Sequence, residues 1–102
     1  MYLTLMINKV VITKAAYKEL KKAPRNVVYK FYVWVDLVKS KGIENARTIS
    51  GFHDEKLHGD RKGQFSIRLN IQWRAFYTIE KDKSGKHIIK FVRVFEVNKH
   101  EY

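Results

Sequence analysis

Cysteine is absent from this chain of 102 residues, and its absence excludes several kinds of chemistry. Without thiols the protein can form no disulfide, no thiolate nucleophile and no cysteine-ligated metal site. A chain without disulfides also suits a reducing cytoplasm, which is the location we expect. No apolar run approaches the ~20 residues that a membrane-spanning helix needs.

Linkers and nucleotide-binding motifs are also missing. The single proline and five glycines do not cluster, and no repeat occurs, so residues 1–102 are expected to form one domain. There is no GxGxxG motif, P-loop or serine-centred elbow. His53, Asp54 and His58 lack a recognised metal-ligand spacing, so a zinc site there is the less favoured alternative and we expect neither metal nor cofactor.

Positive charge is the main feature that is present. The chain has 21 Lys and Arg against 10 Asp and Glu, which gives a formal net charge of +11. This balance indicates a polyanionic partner, which is a nucleic acid, an anionic membrane surface or an acidic protein. The hydrophobic share of 45% and the aromatic share of 14% argue against a disordered chain.

The first half of the chain has the pattern of one strand and two helices. Residues 7–12 are rich in β-branched side chains and predict a strand, after which Thr13 suits a helix N-cap. The first helix should end before Pro24, which can itself start a second helix. That second helix is expected to run to Lys39, with Gly42 just past its end.

The second half has the pattern of a loop followed by three strands. Residues 43–63 are polar and predict mainly a loop, and residues 64–70 and 73–80 alternate between apolar and polar side chains. A hairpin turn is expected at 81–86, and the apolar run at 88–97 predicts a central strand covered on both faces. The order β-α-α-β-β-β predicts an α+β fold, in which a helical hairpin covers one face of an antiparallel sheet.

Polar side chains of the two alternating strands should meet on the face opposite the helices. A short turn at 70–71 would place Arg68 and Arg74 on adjacent strands, with Ser66 on the same face. Like charges on paired strands are destabilising unless an anion binds between them, so a phosphate site is one interpretation. A solvated basic strand face is the other.

RNA cleavage without a metal requires a base, an acid and cations. Glu55, in the loop that leads to this face, is a candidate base, and His100 or Tyr102 is a candidate acid. Arg68 and Arg74 are candidates for stabilising the phosphate. The alternatives are a solvated carboxylate at Glu55 and a frayed terminus at the tail.

Three segments resemble the RelE/ParE superfamily of toxin–antitoxin toxins. Residues 55–59 (EKLHG), 63–70 (GQFSIRLN) and 73–77 (WRAFY) are similar to its E-P-L-x-G, G-x-x-S-x-R-I and R-x-x-Y patterns, and a tail with His and Tyr follows. The predicted order of elements also matches that fold. Lysine replaces the usual proline at position 56, and Glu101 separates the two tail residues.

The resemblance implies a ribosome-dependent endoribonuclease that cuts mRNA, most similar to the YoeB-like branch. It implies Glu55 as base, Arg68 and Arg74 as phosphate ligands, and His100 or Tyr102 as acid. The expected partners are an antitoxin, the ribosome and mRNA, with no membrane, and the expected state is a monomer alone or a hetero-oligomer with the antitoxin. The residues expected to bind RNA are Lys56, His58, Arg61, Lys62 and Ser66.

Two other functions remain open for the same sequence. A ParE-like protein would inhibit DNA gyrase without catalysis, and the tail would then be dispensable. A non-enzymatic RNA- or ribosome-binding module would depend on charge alone, so exchanging Arg68 for lysine would have little effect.

Overall fold

The structure is a computed structural model that describes residues 6–84 and 87–99. One five-stranded sheet has the strand order β1-β5-β4-β3-β2, and helices pack on one of its faces around a single core. Two 3₁₀ turns, at Ser50–Phe52 and Gly59–Arg61, flank β2. The other elements are β1 (Val10–Ile12), α1 (Lys14–Lys21), α2 (Arg25–Lys41), α3 (Ile43–Ala46), β2 (Glu55–Lys56), β3 (Phe65–Arg68), β4 (Trp73–Ser84) and β5 (His87–Lys99).

Both long helices begin where the sequence predicts. The Thr13 side chain accepts a hydrogen bond from the Ala16 backbone N–H at 3.2 Å, which satisfies one of the free donors at the start of α1. Pro24 precedes α2, where its missing N–H costs nothing. The core-facing stripe of α2 consists of Val27, Phe31, Trp34, Val35 and Val38.

Gly42 ends α2, as the sequence predicts. Its φ of 83° and ψ of 156° lie in a region that side chains disfavour, and its N–H donates to the Val38 carbonyl at 2.8 Å. A Cβ at this position would lie 3.1 Å from the Cβ of Met6. Glycine is therefore required both by the backbone conformation and by the close approach of the N-terminal segment.

The sheet is mixed, so the prediction of a wholly antiparallel sheet is wrong for one strand. β2, β3, β4 and β5 pair in antiparallel fashion, but β1 runs parallel to β5. The helices between β1 and the later strands supply the long connection that parallel pairing needs. Strand direction leaves no trace in the alternation of a strand's own residues, so the sequence pattern could not reveal it.

The environment of β5 also differs from the prediction. β5 lies between β1 and β4, but helices cover only one of its faces, and its first half projects beyond them. Ile88 and Ile89 are 59% and 44% exposed, whereas Val92, Val94 and Val97 are buried. A run of apolar residues indicates burial on both faces only if something covers both faces, and here the hairpin extends past the helices.

Two loop predictions also need correction. Residues 81–84 were expected in a turn but belong to β4, which pairs with β5 up to Ser84 and His87. The segment 43–63 was expected to be mainly loop, yet it contains α3 and the short strand β2. Polar side chains on the uncovered end of a hairpin resemble those of a loop, because both face water.

An aromatic cluster forms the centre of the core. Trp34 is fully buried, as expected for a packing role, and its ring centroid lies 5.3 Å from Tyr77 and 6.1 Å from Phe31. Trp73 is partly buried and packs against the hydrophobic core. Among residues 6–84 and 87–99, no helix is long and apolar enough to cross a membrane.

Candidate functional site

Two arginines face each other on the sheet surface that the helices leave open. Arg68 on β3 and Arg74 on β4 are direct cross-strand partners. The turn between them is closed by Asn70, whose side-chain oxygen accepts from the backbone N–H groups of Gln72 at 2.8 Å and Trp73 at 2.7 Å. The predicted placement of both arginines on adjacent strands is confirmed.

Glu55 reaches the same surface through β2. Its cross-strand partner is Ser66, and its carboxylate lies 3.9 Å from Nη1 of Arg74. The Glu55 side chain is 56% exposed and that of Arg74 is 16% exposed. A contact this long at a half-exposed carboxylate is a weak ion pair, so both groups remain available to a ligand.

A pocket of about 380 Å³ joins Glu55, Ser66 and Arg74, and Arg68 lies beside it. Side chains from β2, β3, β4 and β5 and from the loop between β2 and β3 line it, so the site depends on the whole sheet. The lining residues are Glu55, Leu57, Arg61, Ser66, Arg74, Phe76 and Asn98. A carboxylate and two guanidinium groups around one small pocket suit an anionic substrate that gives up a proton.

Ser66 lines this pocket but is almost completely buried. The residue is 1% exposed, and its hydroxyl makes no hydrogen bond within the described part of the chain. A buried hydroxyl without a partner costs about 1–3 kcal/mol, so such groups are uncommon in native proteins. The sequence placed Ser66 on the RNA-binding face, but its burial without a partner is visible only in the structure.

Arg61 lines the pocket and is held by several partners. Its Nη2 donates to both carboxylate oxygens of Glu96, at 3.0 and 3.2 Å, and its Nη1 donates to Gln64 at 3.1 Å. Its guanidinium also lies 4.1 Å above the ring of Phe76, and Asn98 donates to Glu96. Arg61 therefore fastens the loop between β2 and β3 to the sheet.

Sequence reasoning missed Glu96 and Asn98 in this network. They interrupt the apolar pattern of β5 at alternate positions, and their register partners are Phe76 and Arg74. Two polar residues at i and i+2 near the end of a mainly apolar strand were the available signal, because alternate residues share one face. The cross-strand register was needed to show that this face is the one with the arginines.

The other predicted RNA-binding residues lie around the pocket and do not line it. Lys56, His58 and Lys62 are exposed, and Lys56 is paired with Phe65, one position away from Glu55 on β2. Arg68 is partly exposed and forms no ion pair with a described carboxylate. These side chains form a basic margin beside the pocket.

Asp54, which directly precedes Glu55, is part of a buried polar cluster. One carboxylate oxygen accepts from the Tyr77 hydroxyl at 2.5 Å, and the other accepts from Nε of Arg47 at 3.1 Å. Burial raises the pKa of Asp54, although Tyr77 and Arg47 oppose that shift. Burial and the adjacent carboxylate also raise the pKa of Tyr77, so its hydroxyl stays protonated and continues to donate.

This cluster anchors the backbone that carries Glu55. The Arg47 guanidinium lies 4.7 Å from the centroid of Phe65, whose ring stacks on Tyr77 at 5.1 Å. Both oxygens of Asp54 already accept hydrogen bonds from protein donors. The alternative of a zinc site with His53 and His58 would therefore have no free carboxylate at Asp54. Among the described residues, no group of three potential ligands could hold a metal ion.

The predicted acids His100 and Tyr102 lie outside the described residues. The described chain ends in β5 at Lys99, which is the register partner of Trp73, and Asn98 is the partner of Arg74. The last described residues of β5 therefore lie beside Arg74 on β4. The choice between His100 and Tyr102 stays a prediction.

Comparison with known proteins finds similarity in structure but not in sequence. No protein-family model matches the chain, and no curated protein matches it. A YoeB/ParE toxin from Agrobacterium tumefaciens superimposes with a TM-score of 0.64 at 20% identity, over 91% of this chain and 99% of that chain. YafQ from E. coli strain BL21(DE3) has a TM-score of 0.64 at 14% identity, over 89% of this chain and 91% of its own.

A complex also appears among the similar structures. The YoeB–YefM toxin–antitoxin heterotetramer from Staphylococcus aureus matches with a TM-score of 0.63 at 20% identity, over 92% of this chain and 97% of the matched chain. The TM-scores establish a shared fold over nearly the whole chain, and at identities this low they establish nothing further. Function has to be argued from the site itself.

Proposed function

We propose, from the RelE/YoeB-like toxin fold of this chain and the chemistry of its pocket, that it is a type II toxin that cleaves mRNA on the ribosome. The observation that carries the proposal is the contact between Glu55 and Arg74 in a pocket beside Arg68. A base within 3.9 Å of a phosphate-binding cation is the pair that cleavage through a ribose hydroxyl needs.

In the proposed reaction, Glu55 removes the proton from a ribose 2′-OH. The 2′-oxygen then attacks the adjacent phosphorus, and the bond from phosphorus to the 5′-oxygen breaks. His100 or Tyr102 protonates that leaving oxygen, so the products are a 2′,3′-cyclic phosphate and a 5′-hydroxyl. The proton taken by Glu55 balances the proton given by the tail.

Arg68 and Arg74 would stabilise the negative charge of the phosphorane. Their direct opposition on β3 and β4 is unfavourable without an anion, since like charges on paired positions repel. A bound phosphate converts that repulsion into two charge-assisted contacts. The arrangement therefore favours the anion interpretation over a merely solvated face.

Dependence on the ribosome follows from size and charge. A pocket of about 380 Å³ can hold the reacting phosphate and its immediate surroundings but cannot by itself align an mRNA. The net charge of +11 provides attraction to ribosomal RNA that requires no base recognition. The residues proposed to dock there include Lys14, Lys18, Lys21, Lys22, Arg61 and Lys62.

We also propose an antitoxin as a protein partner. A groove of about 560 Å³ between α1 and α2 is floored by Leu20, Ala23 and Val28 and bordered by Lys21 and Arg25. An acidic amphipathic helix would bury its apolar side there and pair its carboxylates with the border. The YoeB–YefM complex, whose toxin has the same fold, supports such a partner.

Substitution of the two central residues tests the nuclease proposal. We expect Glu55→Gln and Arg74→Ala each to lower the rate of mRNA cleavage on translating ribosomes by roughly 10²–10⁴, because each removes an acid–base or charge-stabilising group. Mapping of mRNA ends provides the measurement. Glu44→Gln, an exposed carboxylate on α3, is the matched control and should retain full activity.

The same assays separate the alternative functions. Full activity of both variants on ribosomes would contradict the nuclease proposal. Inhibition of DNA gyrase that survives deletion of residues 100–102 would identify a ParE-like inhibitor. Ribosome binding that tolerates Arg68→Lys, without any cleaved mRNA, would identify a binding module, since a bidentate phosphate contact does not tolerate that exchange well.

A further inference from the structure

The Ser66 hydroxyl occupies the centre of the candidate site. On β3, Ser66 pairs with Glu55 of β2 on one side and with Phe76 of β4 on the other. Arg74 lies two residues from Phe76 and therefore on the same face. The hydroxyl is thus positioned between the proposed base and the proposed phosphate ligand.

Ser66 shares the pocket with a pair of charged side chains that is easily separated. Ser66 is 1% exposed and lines the pocket. Glu55 and Arg74, which line the pocket with it, are in contact at a distance of 3.9 Å, near the limit for an ion pair. A weak ion pair in the same pocket as a hydroxyl that has no partner among the described residues leaves room for a ligand that separates the pair and supplies an acceptor.

We propose that Ser66 is a further catalytic residue, whose hydroxyl donates a hydrogen bond to a non-bridging oxygen of the scissile phosphate. The inference rests on the proposed nuclease function and adds Ser66 to the residues that bind the phosphate. When the phosphate enters, Arg74 turns from Glu55 to the phosphate, which uncovers Ser66 and frees the Glu55 carboxylate to accept the 2′-OH proton. Ser66 keeps its own proton throughout.

The physical benefit of this donor increases during the reaction. Negative charge accumulates on the non-bridging oxygens as the phosphorane forms, so a fixed donor binds the transition state more tightly than the ground state. A hydroxyl already held in the sheet needs no reorganisation at that moment. The hydroxyl has no partner among residues 6–84 and 87–99, which is consistent with a partner that arrives with the substrate.

Removal of the hydroxyl should separate activity from stability. We expect Ser66→Ala to slow cleavage on ribosomes by about 10²-fold, as for loss of one donor to a developing oxyanion. The midpoint of thermal unfolding should stay the same or rise, because the variant no longer buries an unpaired polar group. Ser50→Ala, at an exposed serine, is the matched control for both measurements.

Sulfur substitution at the scissile phosphate provides a stereochemical test. Phosphorothioate mRNAs with sulfur at either non-bridging position should be cleaved by the wild type at different rates, since sulfur is the poorer acceptor from Ser66. Ser66→Ala should lose most of that difference. Cleavage by Ser66→Ala at the wild-type rate would overturn the inference, as would a stereochemical preference that the variant retains in full.

The wild type alone decides the question if the variant does not fold. Equal rates for both phosphorothioates and for the unmodified mRNA would then reject a hydroxyl contact to the phosphate. A wild-type protein that cuts no mRNA on translating ribosomes would instead reject the nuclease function. The two failures therefore give different results.

Discussion

The carboxylate most constrained by its neighbours is Asp54, and not the proposed base beside it. Asp54 has a fully buried side chain, while Glu55 is 56% exposed. The contacts of Asp54 with Arg47 and Tyr77 hold the backbone from which Glu55 extends. Neighbouring acidic residues thus have separate tasks, one in structure and one proposed in catalysis, because successive side chains of an extended segment point in opposite directions.

The raised pKa of Asp54 predicts a specific effect of pH on stability. Its folded pKa lies above the ordinary value of 3.8, so the folded state binds this proton more tightly than the unfolded state. Ionisation of Asp54 therefore lowers the free energy of unfolding as pH rises from its unfolded to its folded pKa. The asparagine side chain of Asp54→Asn cannot ionise, so the variant lacks this pH-dependent change in the free energy of unfolding.

Urea denaturation across the acid range measures the effect. The stability of the wild type relative to Asp54→Asn should fall as the pH rises from the ordinary pKa of 3.8 through the raised folded pKa, and then stay constant. Asp60→Asn, at an exposed carboxylate, serves as the control. Parallel curves for the wild type and Asp54→Asn would contradict the assigned role of burial.

Element boundaries depend on a few residues whose conformation is special, and the end of α2 is the clearest case. Gly42 has a φ of 83° and lies against Met6, whereas Gly51 has open space where a Cβ would be. We expect Gly42→Ala to lower the free energy of unfolding by about 1–3 kcal/mol, from backbone strain and the close contact. Gly51→Ala should change it by less than about 0.5 kcal/mol.

Thermal unfolding of both glycine variants provides the measurement. For a domain of this size each kcal/mol corresponds to a shift of roughly 4–8 °C in the melting temperature, so the expected difference is readily seen. An equal shift for the two variants would show that neither the φ of Gly42 nor its approach to Met6 matters.

The same scale shows which elements a sequence can reveal. α1 and α2 were predictable because Thr13, Pro24 and Gly42 act locally on the backbone next to them. β2 was not predictable, because two residues carry no periodicity and their strand character arises from pairing with Phe65 and Ser66. The extension of β4 to Ser84 was missed because that end of the hairpin has no covering layer to impose an apolar pattern.

The positive charge acts at the scale of the whole molecule. Variants can test whether ribosome binding depends on where this charge lies or only on its total amount. Lys14, Lys18 and Lys21 lie exposed on α1, while Lys81, Lys83 and Lys90 lie exposed at the far end of the β4–β5 hairpin. If the α1 lysines dock on ribosomal RNA, the triple glutamine variant should bind ribosomes more weakly. The slope of log affinity against log salt should also decrease by about 0.7–0.9 for each lost phosphate contact.

The hairpin lysines provide a control of equal charge. Their triple glutamine variant changes the net charge by the same amount, so a docking surface on α1 predicts that its salt slope remains near that of the wild type. Salt-dependent binding of both variants to purified ribosomes gives the measurement. The same reduced slope in both variants would indicate attraction through total charge without a defined docking surface.

The sequence by itself determined the fold class, the order of the main elements and the identity of the residues proposed for chemistry. These depend on local periodicity, on caps and on residue types, all of which act over a few neighbouring positions. It could name Glu55, Arg68 and Arg74, and it could predict that a turn at Asn70 brings the two arginines onto adjacent strands.

Only the tertiary structure decided the features that depend on the cross-strand register and on the packing of the helices against the sheet. Three features join segments that are distant in the chain: the parallel pairing of β1, the contact of Glu55 with Arg74, and the network of Arg61 with Glu96. The burial of the Ser66 hydroxyl without a partner among the described residues likewise depends on the packing of the sheet. A cross-strand register is set by the packing of the whole sheet against its helices. For that physical reason the residues of the site could be predicted from the sequence, but their distances, burial and partners could not.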